Sequence, residues 1–594
     1  MTNHDERSGV VGLRLAPDDE SALEAAIGRA ETEAWATRLM NRDTTLWTED
    51  HQIRAAIAER LGWLDAPASF EERSPGLEGF GEKVRDAGFT TAVLAGMGGS
   101  SLAPWVLASA FGADPDWLAL RVLDSTDPAA VASTVDDLDP LATLFITSTK
   151  SGTTAETLAF HADAWERISA ALEATGRHRE EPGDWMALIT DPGHSLTSVP
   201  HHDKMTSVFL NPPDVGGRYA ALTYVGLVPA SVIGLDLDAL LASAAEMLAA
   251  CREPDPRHNP GVLLGLAIGT LARLGRDKLT FVVDPAIAAF GAWAEQLIAE
   301  STGKGGTGIV PVDLEPLGSP EVYGPDRVFV RLALAEADPP RSADGAPADD
   351  LLQRLADAGH PLIRLVIEDP VDLAGEFVRW EVATAIAGAV LEVDPFDQPN
   401  VEEAKELTRR ILDGHGDAPG AAEPVARGDG LALYGDAALR AGDGSGTVAG
   451  ELRRHLARAH PSAYLAIQAF IAPSTERDAA LARVRTLLRD ATRHATTAGY
   501  GPRFLHSTGQ LHKGGPPTGW FLQLTADHPH DRPIPGGHHT FGQLIDAQAA
   551  GDFAALEGHG LPILRVHLGP DPDAGLAALI GRLSEALAGL PAGS

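Results

Sequence analysis

The 594-residue chain has the composition of a folded soluble protein, with 44% hydrophobic and 22% charged residues, and its length favours three or more α/β-sized units over a single core. Its formal net charge of -36 repels nucleic-acid backbones and anionic lipid surfaces, so neither is an expected partner. A phosphate-bearing ligand would need a local basic or dipolar site.

The first two segments differ in the spacing of their apolar residues. Residues 1–85 carry apolar side chains at helical intervals and predict a helical N-terminal segment. From residue 86 to 235, short apolar runs alternate with helix-length ones, which predicts a parallel sheet covered on both faces. The predicted strands are 92–95, 118–123, 143–147, 186–190 and 207–210.

The alternation of short apolar runs with helix-length ones occurs again in two later parts of the chain. A second α/β unit is predicted over 236–414, with a helix at 235–250 and strands at 279–283, 309–312, 328–332 and 362–367. Residues 415–430 are rich in Gly, Pro, Ala and Asp without periodicity and are typical of a linker. A third unit, α/β or α+β, is predicted over 431–594, with strands at 431–434, 464–470, 520–524 and 563–567 and helices at 479–494 and 574–587.

Two polar turns follow predicted strands of the first unit. Gly98, Gly99 and Ser100 lie between an apolar strand and a helix, where backbone amides can approach an anion, although most glycine-rich turns only bend the chain. In the second turn, residues 148–154 carry five hydroxyls and a lysine at the start of a helix. Capping a helix needs one hydroxyl, so this density favours a phosphate cradle.

Together these turns resemble the sugar isomerase domain of phosphoglucose isomerases. Three further motifs match in the family's order: Val-Gly-Gly-Arg-Tyr at 215–219, the Gln-to-Lys segment at 296–304, and Asp-Pro-Phe-Asp-Gln through lysine at 394–405. The resemblance implies two doubly wound parallel-sheet domains of the sugar isomerase type, followed by the C-terminal α/β or α+β domain.

The family match implies a role for each matched residue. Glu300 would be the base, Arg218 would stabilise the enediol oxygens, and Lys405 would assist ring opening. Gln296 and Glu300 are four residues apart and share one face of a predicted helix. The implied substrate-binding residues are Gly98, Gly99, Ser100, Thr149, Lys150, Ser151, Thr153, Thr154, Gly217, Gln296 and Gln398.

The histidine that opens the sugar ring is not evident from the order of the motifs. His360, the only histidine between the Glu300 and Lys405 motifs, precedes a predicted strand. The segment 504–515 resembles the C-terminal region of proteins that fuse transaldolase to phosphoglucose isomerase. It makes His512 the first candidate and His506 the second, with the His538–His539 segment third. About eighty residues precede the isomerase motifs, too few for a transaldolase barrel.

The resemblance implies a glucose-6-phosphate isomerase that acts through a cis-enediol and needs no metal or nucleotide cofactor. Mannose 6-phosphate as a substrate, and a noncatalytic sugar-phosphate-binding regulator, stay open as alternatives. Because Cys251 is the only cysteine and the first ten residues lack a signal-peptide pattern, a cytoplasmic location is expected. Family members usually form dimers, so the resemblance implies a homodimer.

Overall fold

The computed structural model describes residues 11–335, 337–342, 345–414 and 423–589. The described part of the chain begins with a short strand and a group of helices. Pro17 lies in the first turn of the first helix, and the Asp50 carboxylate accepts hydrogen bonds from the amides of Gln52 and Ile53 at the start of the third. These elements are β1 (Gly12–Arg14), α1 (Pro17–Thr32), α2 (Trp35–Met40), α3 (His51–Ala58), α4 (Ala66–Glu71) and α5 (Ser74–Asp86).

The first sheet is entirely parallel and has the order β3-β2-β4-β5-β6. Its strands are β2 (Thr91–Ala95), β3 (Ala119–Leu123), β4 (Thr143–Ser148), β5 (Met186–Thr190) and β6 (Ser207–Leu210). Its helices are α6 (Leu102–Phe111), α7 (Pro128–Val135), α8 (Ala155–Ala174), α9 (His194–Ser198) and α10 (Tyr224–Val232). The strand order switches sides at β2, because β3 lies on one side of it and β4, β5 and β6 lie on the other. The two polar turns follow β2 and β4. Ligands of open α/β sheets bind at such a switch point.

The second sheet has the order β1-β10-β9-β7-β8, in which only β1 runs antiparallel. The N-terminal strand therefore completes an edge of this sheet. The elements are α11 (Leu237–Ala250), α12 (Pro260–Arg273), β7 (Lys278–Val283), α13 (Phe290–Thr302), β8 (Val310–Val312), β9 (Arg327–Leu334), α14 (Ala348–Asp357), β10 (Leu362–Ile367), α15 (Leu373–Leu391) and α16 (Val401–Leu412).

The third sheet has the order β11-β12-β16-β15-β13-β14. Its four strands β13 to β16 are parallel, and β11 and β12 add an antiparallel edge. The strands are β11 (Ala426–Gly428), β12 (Leu431–Gly435), β13 (Tyr464–Phe470), β14 (Ala495–Tyr500), β15 (Gly519–Thr525) and β16 (Ile563–His567). The helices are α17 (Ala437–Ala441), α18 (Val448–Leu456), α19 (Thr475–Thr492), α20 (Gly509–Gly514), α21 (Phe541–Gly558) and α22 (Pro572–Ala588).

The hydrophobic cores join the three units. The largest core combines the N-terminal helices with one face of each of the first two sheets, and Trp63, Trp293 and Trp380 are fully buried in it. Phe541 and Leu544 of α21 enter the core on the other face of the first sheet. Val310 and Val312 of β8 pack with residues of the third sheet. Among the described residues, no helix is both long and apolar enough to cross a bilayer.

The predicted α/β class with parallel sheets is confirmed, but three strands were missed. β1 lies in the segment predicted to be helical, because a three-residue strand carries no measurable alternation. β11 lies within the predicted linker, whose residues 415–422 are outside the described residues. β14 has the sequence Ala-Thr-Thr-Ala-Gly-Tyr, which is too polar to be recognised as a buried strand.

Candidate active site

The hydroxyl-rich turn after β4 leads directly into α8. Thr149 is buried, and its hydroxyl donates to that of Thr154 over 3.2 Å, while Ser151 and Thr153 are exposed and joined by a 3.0 Å hydroxyl contact. Thr154 precedes α8 but makes no side-chain capping bond to it. Helix capping therefore does not explain these hydroxyls, and the turn has the polar groups that a phosphate ester requires.

Lys150 is the basic residue of this turn. Its ammonium group forms an ion pair with Asp191, which follows β5, and its side chain is 30% exposed. Burial raises the pKa of Asp191 in spite of the neighbouring lysine. The ion pair keeps Lys150 at the carboxyl edge of the first sheet, where it can supply positive charge to an anion.

The glycine turn after β2 makes close backbone approaches that a side chain would prevent. Gly98 has φ +54°, and a Cβ there would lie 2.5 Å from the His506 carbonyl oxygen. A Cβ on Gly99 would lie 2.2 Å from the Gly217 carbonyl oxygen. Glycine is required at both positions because the turns that carry His506 and Gly217 pack directly on it. Ser100 completes this turn.

Arg218 is 3% exposed and held by four hydrogen bonds. Its Nε donates to the Ser301 hydroxyl over 2.7 Å, and its Nη1 donates to Gln398 Oε1 over 3.0 Å. Its Nη2 donates to the carbonyl oxygens of Pro395 and Asp397 over 2.8 and 2.9 Å. These bonds fix the guanidinium in place before any substrate binds, as electrostatic stabilisation of a developing charge requires.

Glu300 lies in the last turn of α13, with its carboxylate next to this guanidinium. The distance from Glu300 Oε1 to Arg218 Nη1 is 3.6 Å, and Glu300 Oε2 accepts a 3.2 Å hydrogen bond from Gln296 Nε2. The same amide group of Gln296 donates to the His506 carbonyl oxygen over 2.8 Å. As the four-residue spacing predicts, Gln296 and Glu300 lie on one face of α13.

The Asp-Pro-Phe-Asp-Gln motif forms the turn between α15 and α16. Gln398 is exposed and accepts a hydrogen bond from Arg218. Lys405 on α16 is also exposed, and its ammonium group donates to the Glu402 carboxylate over 2.7 Å. Lys304 donates to Asp394 O and Asp397 O over 2.7 and 2.6 Å and so anchors the turn. Burial, helped by the positive charge of Arg218, lowers the pKa of Lys304 to about 8.

The third unit brings His506 into the site. The short helix Arg503–His506 follows β14, and His506 Nε2 lies 3.0 Å from Glu156 Oε1. Glu156 is 6% exposed in the first turn of α8. Burial acts to raise the pKa of Glu156, but the nearby His506 and Lys405 outweigh it and hold that pKa below its ordinary value. The carboxylate is therefore an ionised partner for the imidazole.

His512 lies elsewhere in the third unit. It is 6% exposed, and its ring packs among Tyr464, Phe504 and Phe521. Burial lowers its pKa well below the ordinary value for histidine. Among the described residues, its imidazole contacts these rings and Gln468 rather than Glu300 or Arg218, so its surroundings favour His506 over His512 for ring opening. The loop composition of 504–515 does not distinguish a buried ring from one in the site.

Several residues of the site were not identified from the sequence. Glu156 lies within the matched motif, but its partner His506 is 350 positions away. Ser301 and Lys304 also lie within a matched motif, yet their contacts with Arg218 and the 394–397 turn depend on the fold. Among the described residues, no group of three or more His, Cys, Asp or Glu side chains could hold a metal ion.

The amino-acid sequence is similar to those of known proteins. The model of the phosphoglucose isomerase family matches residues 78–312, so the third sheet lies outside the match. A glucose-6-phosphate isomerase of Rubrobacter xylanophilus is 32% identical over 402 residues, covering 60% of this chain and 91% of that protein. A glucose-6-phosphate isomerase of Thermus thermophilus is 29% identical over 413 residues, covering 61% and 92%.

Solved structures agree in fold. A hypothetical protein of Thermus thermophilus aligns with a TM-score of 0.55 and 27% identity, covering 68% of this chain and 100% of that one. A glucose-6-phosphate isomerase of Chlamydia trachomatis aligns with a TM-score of 0.50 and 20% identity, covering 67% and 87%, which bears on the fold alone. The family model and the Rubrobacter relative, which the chain covers almost throughout, lead to one conclusion: the chain belongs to the phosphoglucose isomerase family.

Proposed function

We propose that the protein interconverts glucose 6-phosphate and fructose 6-phosphate through a cis-enediol. The observation that carries the proposal is the buried Glu300 carboxylate, which lies beside an Arg218 guanidinium held by four hydrogen bonds and is oriented by Gln296. Aldose-ketose isomerisation needs a carboxylate of this kind to move a proton between neighbouring carbons, and a fixed cation to stabilise the anion that forms. The names of the curated relatives support the same reaction.

Substrate binding is assigned to the two polar turns of the first sheet. The hydroxyls of Thr149, Ser151, Thr153 and Thr154 and the ammonium of Lys150 hold the phosphate at the start of α8. The close-packed turn of Gly98, Gly99 and Ser100 binds the sugar, together with Gly217, Gln296 and Gln398. This assignment is supported by the position of both turns at the switch point of the sheet.

Ring opening is assigned to His506, with Lys405 assisting. The C1–O5 bond breaks as O5 gains a proton and the C1 hydroxyl loses one, so a group that both accepts and donates a proton is needed. An imidazole paired with an ionised carboxylate suits this task. The contact between His506 and Glu156 supports the choice of His506 over His512.

Glu300 then removes the proton from C2 of the open-chain aldose. The electron pair of the C–H bond forms a C1–C2 double bond. Negative charge develops on the C1 oxygen, where Arg218 stabilises it. The proton of the C2 hydroxyl passes to the C1 oxygen, and Glu300 returns its own proton to C1, which gives the ketose. One carboxylate thus serves as base and acid, and the substrate keeps all its electrons.

The test is a coupled assay of wild type beside Glu300→Gln. The amide keeps the shape of the side chain but cannot take up the C2 proton, so kcat should fall by about a thousandfold. Glu246→Gln on the exposed surface of α11 is the matched control and should keep wild-type turnover. Glucose-6-phosphate turnover by Glu300→Gln at the wild-type rate would refute the assignment.

The same assay, together with a measurement of sugar-phosphate binding, separates the remaining alternatives. Turnover of mannose 6-phosphate beside glucose 6-phosphate would define a broader isomerase. Tight binding of either sugar phosphate by a wild type that turns over neither would define a noncatalytic regulator. The proposal includes that the protein is cytoplasmic and forms a homodimer. Sedimentation analysis of the purified protein tests whether it is a dimer.

A further inference from the structure

A glutamine of the third unit contacts the carboxylate of the Glu156–His506 pair. Gln548 lies on α21 and is 3% exposed. Its Nε2 donates a 2.6 Å hydrogen bond to Glu156 Oε1, the same oxygen that lies 3.0 Å from His506 Nε2. One carboxylate oxygen is therefore shared between a buried amide and the imidazole.

The orientation of this amide is fixed by a second residue. Thr126, which is fully buried in the loop between β3 and α7, donates its hydroxyl to Gln548 Oε1 over 2.8 Å. A carboxylate without its proton accepts hydrogen bonds only, so the amide nitrogen must face Glu156 and the amide oxygen must face Thr126. The contacts form one chain from Thr126 through Gln548 and Glu156 to His506.

The position of Gln548 follows from the packing of α21 on α8. Phe541, Leu544 and Gln548 are spaced by three and four residues and share one face of α21. Phe541 stacks on Phe160, four residues after Glu156, with 6.0 Å between ring centroids. The apolar contacts between the helices thus place the amide opposite the carboxylate.

We propose that Gln548, oriented by Thr126, is a positioning residue that fixes the Glu156 carboxylate for its contact with the ring-opening imidazole of His506. This inference rests on the proposed function. The third unit then contributes two residues to the site, His506 and Gln548. Lys405 is the other charged group that acts on Glu156, and it lies on α16, which packs against α21.

The physical consequence is a more stable ionised carboxylate. An amide that donates to a buried carboxylate favours the charged form and so lowers its affinity for a proton. Without the amide, Glu156 binds a proton at higher pH and loses its fixed orientation. As the pH falls, protein without this amide would therefore lose the active protonation state of the Glu156–His506 pair at a higher pH than wild type does.

The experiment uses full-length protein and four variants. Gln548→Met keeps the length of the side chain and removes the amide. Thr126→Val removes the hydroxyl that orients the amide, and Thr126→Ser keeps it. Gln468→Met is the matched control, because Gln468 is a buried glutamine of β13 in the same unit whose amide contacts His512 instead.

The expected results separate positioning from stability. In Gln548→Met, kcat on cyclic glucose 6-phosphate should fall by about tenfold to a hundredfold with KM within about twofold. The acid limb of the pH profile of kcat should move up by about half a pH unit or more. Thr126→Val should change both in the same direction, and Thr126→Ser should restore both. Wild-type kcat and an unmoved acid limb in Gln548→Met, or the same changes in Gln468→Met, would overturn the proposal.

A second measurement keeps this result apart from failure of the proposed function. The imidazole titration of His506 is followed by NMR in wild type and Gln548→Met, with the signal assigned from His506→Gln. A wild type that lacks isomerase activity would refute the proposed function, yet a changed His506 titration would still support the role of Gln548. An identical titration in the two proteins would contradict that role.

Discussion

At the scale of single residues, the site depends on buried groups that other side chains hold in one orientation. Arg218 makes four hydrogen bonds, and Gln296 joins Glu300 to the backbone of His506. Such a site needs little reorganisation when charge develops in the reaction. Substitutions at these positions should therefore lower turnover.

The two histidines of segment 504–515 allow a direct comparison. His506→Gln should lower turnover of cyclic glucose 6-phosphate by about a hundredfold, because the proton-transferring imidazole is lost. His512→Gln should keep wild-type turnover but unfold at a lower temperature, since it removes a ring packed among three aromatic side chains. Rates on the cyclic substrate and melting temperatures are compared for both variants. A larger loss of turnover in His512→Gln would restore His512 as the preferred candidate.

Sequence reasoning reached some of these residues and not others. Glu300, Gln296 and Arg218 lie in local motifs, so a short segment identifies each one. The pairing of Glu156 with His506 joins residues of different units, and no spacing along the chain encodes it. The buried position of His512 likewise depends on rings that belong to separate strands and helices.

At the scale of elements, close contact between α12 and α15 is part of the largest core. A Cβ on Gly265 of α12 would lie 2.4 Å from the carbonyl oxygen of Ala383 on α15. Glycine therefore lets the two helices approach until backbone meets backbone. Every residue of α15 is buried, so this helix has little freedom to move away.

Gly265→Ala should lower the free energy of unfolding by about 1–3 kcal/mol, because the added methyl group overpacks the contact between the helices. The control is Gly28→Ala in α1, where a Cβ would meet nothing within 4 Å. That change should stabilise the protein by about 0.5–1 kcal/mol through helix propensity. Denaturant titration of both variants measures the difference, and equal stabilities would contradict the close contact.

The strands of the first sheet were predictable because buried parallel strands are short, continuous apolar runs. The bounds predicted for β5 and β6, 186–190 and 207–210, agree with the structure. β14 was not predictable, since its burial comes from β13 beside it and from β8 of the second unit. The strand that leads to His506 was thus one of those without a recognisable signal in the sequence.

At the scale of the whole molecule, charged groups are buried where the second and third units meet. Glu315 forms a fully buried ion pair with Arg327 and accepts hydrogen bonds from the amide and hydroxyl of Thr496 on β14. Glu295 on α13 lies near Asp313, with Arg503 and Arg485 of the third unit also close enough to influence it. Charged groups of the second unit therefore bond directly to the third unit.

Partial burial and the nearby Asp313 raise the pKa of Glu295 from 4.5 to about 8. Between these values the folded protein keeps a proton that the unfolded chain releases, so this residue lowers stability as pH rises through the interval. Glu295→Gln should therefore raise the melting temperature at pH 8.5 and change it little at pH 5, with Glu246→Gln as the control. An equal effect at the two pH values would contradict the raised pKa.

The short strand β1 determines how the second sheet ends. It pairs antiparallel with β10, and Arg14 forms an ion pair with Asp357 beside it. Without β1, the outer amides and carbonyls of β10 would be open to strand addition from another molecule. Trimming the first fourteen residues should consequently leave the catalytic groups in place and yet make the protein self-associate and precipitate on concentration.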